Sequence, residues 1–351
     1  MNRTWQQAML DELQQRGILA QDERARLQAT QAAPWYMTAL SGFAAWFAAL
    51  MLLAAWMMSL GGEPLPHLIG GGILLLAAIG LLRGSGAFVK QLGLAFSMLG
   101  QALLVFFIAE LEPPSLASLQ LPALLALVVA VGMLLVRAGS AHRFLCALVA
   151  MLGLVLLVES HFLLSIHAIV LAALAVWLWL RRARWAGSPQ APLMRAAAGA
   201  ATLMALVLGI VGQPSMGGLR WFLAPEPDAG GWITWLYPLG AALVLLATLT
   251  CLTRGVQGPV RLACLGGALI LAVLGSPAPG LLIAAALWLA VFQACDRLWC
   301  VLVGVGVAFY LGDLYYSLNI TLLVKSILLA ASGLVLLLLR QLVLMPLRRA
   351  E

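Results

Sequence analysis

The chain has 351 residues, 64% of them hydrophobic and only 9% charged, with a formal net charge of +7. Its mean hydropathy of +1.03 excludes an ordinary soluble domain, which needs far more charge to cover its surface. The basic excess does not point to nucleic acid: the arginines stand singly or in pairs at the ends of apolar runs, as topology determinants facing anionic lipid do.

Residues 1–37 are polar and carry Asp11, Glu12, Asp22 and Glu23. No apolar core with a small-residue cleavage site follows, so no cleavable signal peptide is expected. Trp5, Met9 and Leu13 recur every four residues, Gly17 predicts a helix stop, and residues 22–31 resume a polar helical pattern. A stripe that narrow predicts a cytoplasmic tail of two short helices that packs on the membrane face or on a partner.

From residue 38 the chain becomes a series of apolar runs long enough to cross a hydrocarbon core of roughly 30 Å as helices. Twelve spans are predicted, at 38–60, 66–82, 88–109, 120–137, 143–160, 162–180, 194–212, 232–252, 262–275, 280–294, 298–312 and 319–345. Short connections near 61–65, 139–142, 276–280 and 295–297 make neighbouring spans antiparallel hairpins. The expected fold is an all-α polytopic transmembrane bundle over 38–345, followed by a basic tail at 346–351. Two spans, 262–275 and 280–294, are short enough to be either full crossings or a re-entrant hairpin. The last is long enough to require tilt or protrusion.

Charge orients the bundle. Eighteen of the 20 Lys and Arg residues fall on one side of this arrangement. They are Arg3, Arg16, Arg24 and Arg26 in the tail, then Arg83 and Lys90, Arg137 and Arg143, Arg181, Arg182, Arg184 and Arg195, Arg254 and Arg261, Arg297, and finally Arg340, Arg348 and Arg349. That side is read as the cytoplasm of a cell whose inner membrane holds the protein, with both termini inside. Only Arg220, in the outer loop 213–231, falls opposite. Trp35, Tyr36, Trp179, Trp185 and Trp299 are expected at the inner interface, and Trp56, Trp221, Trp232, Trp235, Tyr315 and Tyr316 at the outer one. The pattern Arg83-Gly84 before Lys90 returns as Arg254-Gly255 before Arg261, at an offset of 171 residues. It hints at two six-span halves, 38–180 and 194–345, although any tight cytoplasmic hairpin favours Gly beside positive charge.

Few groups can carry chemistry. Lys325 lies roughly 9 Å into the last span, where an ammonium needs water, a carboxylate or snorkelling. Asp313, at the end of the preceding span, is its expected ion-pair partner. Such a pair either couples protonation to motion or fixes two spans together. Carboxylates and imidazoles gather on the outer side: Glu63 with His67, Glu110, Glu112, Glu226 and Asp228, and Glu159 with His161 and His167. Glu159, His161, His167, Glu110 and Gln101 are the candidates for a proton relay or polar cavity. The competing reading is that acidic residues simply occupy the side where Lys and Arg are avoided. Gln101 and Thr248 at depth are expected to bond to a neighbouring helix. The five cysteines (Cys146, Cys251, Cys264, Cys295 and Cys300) map near cytoplasmic span ends, so thiols rather than disulfides are expected. Cys295 and Cys300 are half of a metal site at most, without a His or third Cys close in sequence, and no metal or cofactor is expected. No Gly-rich phosphate loop, H-E-x-x-H or paired C-x-x-C is present. One outer arginine is too few for a lipid-pyrophosphate site opened from outside.

Two segments resemble a known family. One is the run Gly312-Asp313, Tyr315-Tyr316, Leu318, Leu322-Leu323, Lys325-Ser326 and Ser332-Gly333. The other is Gly17-Ile18-Leu19, then Pro34-Trp35-Tyr36 and Ala45-Trp46. Both ends are similar to the bacterial domain-of-unknown-function 4401 family. The resemblance implies a multi-pass inner-membrane protein of unassigned activity. It also implies genes nearby for another multi-span protein and for a membrane-anchored protein with a G-D-Y-x-x-L-x-Y motif. The first functional reading is therefore a membrane subunit or scaffold working with partner envelope proteins. The second is a proton-linked small-molecule transporter using Lys325, Asp313 and Glu159. The third is an intramembrane enzyme. The substrate, if any, is not legible.

Overall fold

The computed structural model describes residues 10–17, 35–60, 64–84, 86–111, 119–136, 138–157, 161–211, 233–256, 258–276 and 278–317, with eight more between Leu323 and Gln341. The described residues are helices joined by short turns, with no strand among them. Residues 10–15 form a short helix that ends where Gly17 takes φ +68, the left-handed stop expected there. The polar segment 22–31 lies outside the described residues.

The helices that follow are α1 (Trp35–Leu60), α2 (Pro64–Leu82), α3 (Ala87–Leu111), α4 (Gln120–Leu134), α5 (Ser140–Leu156) and α6 (His161–Leu180). After them come the single turn α7 (Arg182–Trp185), α8 (Ala191–Val211), α9 (Ile233–Leu252), α10 (Gly258–Leu274), α11 (Pro279–Gln293) and α12 (Arg297–Ser317). Leu- and Ala-rich runs favour helix, and in hydrocarbon a helix is the only open-chain way to satisfy every backbone group. Proline and glycine set the boundaries: Pro64 opens α2, Gly139 precedes α5, and Pro279 opens α11 without losing a hydrogen bond. Among the described residues, seven helices are long and apolar enough to cross a membrane: α1, α2, α3, α6, α8, α9 and α12. Four more, α4, α5, α10 and α11, are apolar but shorter. The twelfth expected span, 319–345, falls mostly outside the described residues.

The chain forms two compact units. The first comprises Met1–Gly61 and Leu74–Leu99, the second Gly62–Ile73 and Gly100–Glu351. In the first, a small core of Ala49, Ala95 and Leu99 is flanked by Trp46, Leu53 and Leu74. Helix α1 buries little beyond Ala45 and Ala49 and presents Leu40, Phe43, Phe47, Leu50 and Met58 outward. An apolar exterior of this kind is stable in lipid, not in water.

The second unit is built around α11. This helix touches α6, α8, α9 and α12, and eight of its 15 residues are buried, including Leu282, Ile283, Leu287 and Val291. At about 22 Å it is shorter than a bilayer core. It meets protein on several sides, so its length need not match the hydrocarbon thickness. Small residues let the helices close in. Tyr310 on α12 donates its hydroxyl to the Leu206 carbonyl on α8 at 2.5 Å. The same ring lies over Gly209 of α8 and Gly280 of α11, where an added Cβ would stand 2.2 Å from its hydroxyl and 2.6 Å from Cε1.

The tryptophans correct one expectation. Trp179 and Trp299, expected at the lipid interface, are only 1% and 8% exposed and pack against each other at 6.2 Å. Trp179 Nε1 donates to Thr202 Oγ1 at 2.9 Å, which satisfies its polar edge inside the bundle. An indole can thus lie near a span end and still face protein.

Candidate functional site

Three polar constellations lie in the second unit. The first joins the start of α2 to the end of α3. His67 is fully enclosed, and its Nδ1 lies 3.1 Å from Oε2 of Glu110, whose side chain is 35% exposed. Glycines bring the two helices together: a Cβ at Gly71 would meet Leu104 at 2.9 Å and the Gly100 carbonyl oxygen at 3.0 Å. An enclosed imidazole behind a partly exposed carboxylate can take a proton from one side and hold it as an ion pair.

The second joins α3 to α5. Gln101 Nε2 approaches Cys146 Sγ at 3.9 Å, and His142 Nε2 lies 3.6 Å from the same sulfur. All three residues are buried. His142 lies in the first turn of α5 and is buried there. The sulfur contacts are long and weak, and chemically the cluster is a packed polar seam.

The third lies where α6 and α11 end and α8 and α12 begin. Asp296, only 5% exposed at its side chain, takes Arg195 Nη2 at 2.9 Å and Arg182 Nη1 at 3.4 Å. Arg182 also donates to the Ala294 carbonyl at 2.6 Å. Cys295 turns the chain with φ +54, and Asp296 immediately precedes α12, where a helix N-terminus favours negative charge.

Of the residues singled out from sequence, Glu110 and Gln101 enter the first two constellations, though not a common one. His167 Nδ1 faces the Leu163 carbonyl of its own helix at 3.0 Å, so that nitrogen carries the proton and donates locally. Thr248 likewise donates to Val244 of its own helix at 2.7 Å rather than to a neighbour. Asp313 lies partly buried near the end of α12, its Oδ2 without a hydrogen-bond partner among the described residues. Lys325 and Glu159 lie outside the described residues, as does the side chain of His161. His142 and Asp296 were not selected from sequence. Each looks like an ordinary loop residue beside an arginine, and only the packing of distant helices encloses them.

No match to this chain is found among curated proteins or among solved structures. The family described as Domain of unknown function (DUF4401) matches residues 34–345, nearly the whole chain, and the protein belongs to it.

Proposed function

We propose that this protein is a membrane subunit or scaffold of the bacterial inner membrane, working with partner envelope proteins. In this reading it has about twelve spans and both termini in the cytoplasm. The supporting observation is how three buried polar side chains of the second unit, Trp179, Tyr310 and Asp296, are satisfied. Trp179 bonds to Thr202, Tyr310 to the Leu206 carbonyl, and Asp296 to two arginines, each tying one helix to another. Carriers with inverted repeats instead free backbone groups for cargo by breaking helices at mid-depth. Helices α6, α8 and α11, which form the centre here, run unbroken. The test is purification of the tagged protein from native membranes in mild detergent, followed by mass spectrometry. A stoichiometric membrane partner is expected. A protein that elutes alone and monodisperse sinks the subunit reading.

The His67–Glu110 pair favours a second reading, proton-linked transport, with Asp313, Lys325 and Glu159 as further relay positions. Proteoliposomes with an imposed pH gradient and a panel of small organic solutes test it. Solute-dependent proton uptake that Glu110→Gln abolishes supports the reading. Wild-type vesicles indistinguishable from empty ones end it.

A further inference from the structure

Among the described residues, the five arginines between α6 and α10 divide into two groups. Arg182 and Arg195 close on Asp296. Arg181, Arg184 and Arg254 do not; among the described residues none of them is paired with a carboxylate. They converge instead on an open pocket of about 340 Å³, which Trp177, Leu252 and Gln293 also line. Its walls come from the ends of α6, α9 and α11 and from α7.

Local structure aims these groups. Arg181 ends the last turn of α6, with its N–H on the Trp177 carbonyl, and Arg184 follows one turn later with its N–H on the Arg181 carbonyl. Residues three apart on such a turn share a face. Arg181 lies with its guanidinium carbon 4.6 Å from the centre of the Trp177 ring, a cation–π contact that holds the side chain over the pocket wall. Arg254 enters from the turn after α9.

A sphere of the pocket's volume is about 9 Å across, close to the Debye length of about 8 Å at physiological salt. Three like charges lining one pocket of that size repel one another and gain when an anion lies between them. Guanidinium forks suit phosphate oxygens bidentately. The half-exposed indole of Trp177 and the apolar Leu252 supply a wall along which an acyl chain can run. Basic pockets between helices at a cytoplasmic end have the chemistry that holds lipid headgroups.

We propose that Arg181, Arg184 and Arg254 form a binding site for a phosphate-bearing anion, either the headgroup of an anionic phospholipid or a soluble phosphate compound. This does not depend on the protein being a subunit or a transporter.

The experiment uses the full chain, purified and delipidated in neutral detergent. Native mass spectrometry measures binding of phosphatidylglycerol against phosphatidylcholine, and calorimetry measures binding of inorganic pyrophosphate. Expected is an affinity for phosphatidylglycerol at least tenfold above phosphatidylcholine, lost in Arg181→Gln/Arg184→Gln/Arg254→Gln. It should be kept in Arg83→Gln/Arg261→Gln/Arg297→Gln, which removes the same charge elsewhere. Pyrophosphate binding with no phosphatidylglycerol preference, lost in the same variant, upholds the site with a soluble ligand. Should the pocket triple fail to fold, Arg184→Glu on the exposed turn α7 replaces it, with a tenfold loss expected. Binding of neither probe, equal binding by wild type and pocket variants, or equal losses in both triple variants overturns the proposal.

Discussion

Gly209 has no room for a methyl group, and the main obstacle is a single atom. A Cβ there stands 2.2 Å from the Tyr310 hydroxyl but 3.2 Å from Cζ of the same ring. Gly209→Ala should therefore destabilise the detergent-solubilised protein by about 1–3 kcal/mol, the usual cost of overpacking. Tyr310→Phe alone should cost about 1 kcal/mol for its lost hydrogen bond. The double variant should be more stable than the sum of the two, because removing the hydroxyl relieves the closest clash. Strict additivity in thermal unfolding would break the argument.

At the scale of elements, the Asp296 clasp ties the α11–α12 turn to the ends of α6 and α8. Asp296→Asn should cost about 1–3 kcal/mol, less than a fully buried pair would, because Arg182 and Arg195 remain partly hydrated. Arg195→Gln, at the more exposed partner, should cost less than Asp296→Asn; the reverse order would show that Arg195 does more than pair with Asp296. The helices themselves were legible in sequence. Eleven predicted spans overlie α1–α6 and α8–α12, because runs of Leu and Ala between Gly, Pro and Arg leave a chain in hydrocarbon little alternative. Their partners were not legible. Helix α11 reads as a doubtful short span and proves to be the centre of the second unit, since hydropathy reports only that a residue avoids water, not whether lipid or protein covers it. Trp179 and Trp299 were misplaced for the same reason, and Asp296 and His142 passed unnoticed because their burial comes from helices distant in sequence.

For the whole molecule, the strongest remaining expectation is orientation, and it rests on charge. The positive-inside rule acts on short loops, and here it assigns every cationic loop but one to a single face. That assignment is sensitive to parity: one crossing fewer anywhere before Arg340 would move the closing arginines to the far side. The short pair α10 and α11 does not threaten it, because two crossings and a re-entrant hairpin leave the chain on the same face. The segment 213–231 is the sharper probe. It follows seven predicted spans and must face away from the cytoplasm, while the turn carrying Arg254 follows eight and must face in. Single cysteines introduced at Ser215 and at Gln257, in a background with the native cysteines replaced, should separate cleanly under a membrane-impermeant maleimide. In intact spheroplasts only the first should label, and in inverted vesicles only the second. If both label from the same side, α9 does not cross, the parity fails, and the arginine pocket loses its cytoplasmic address while keeping its geometry.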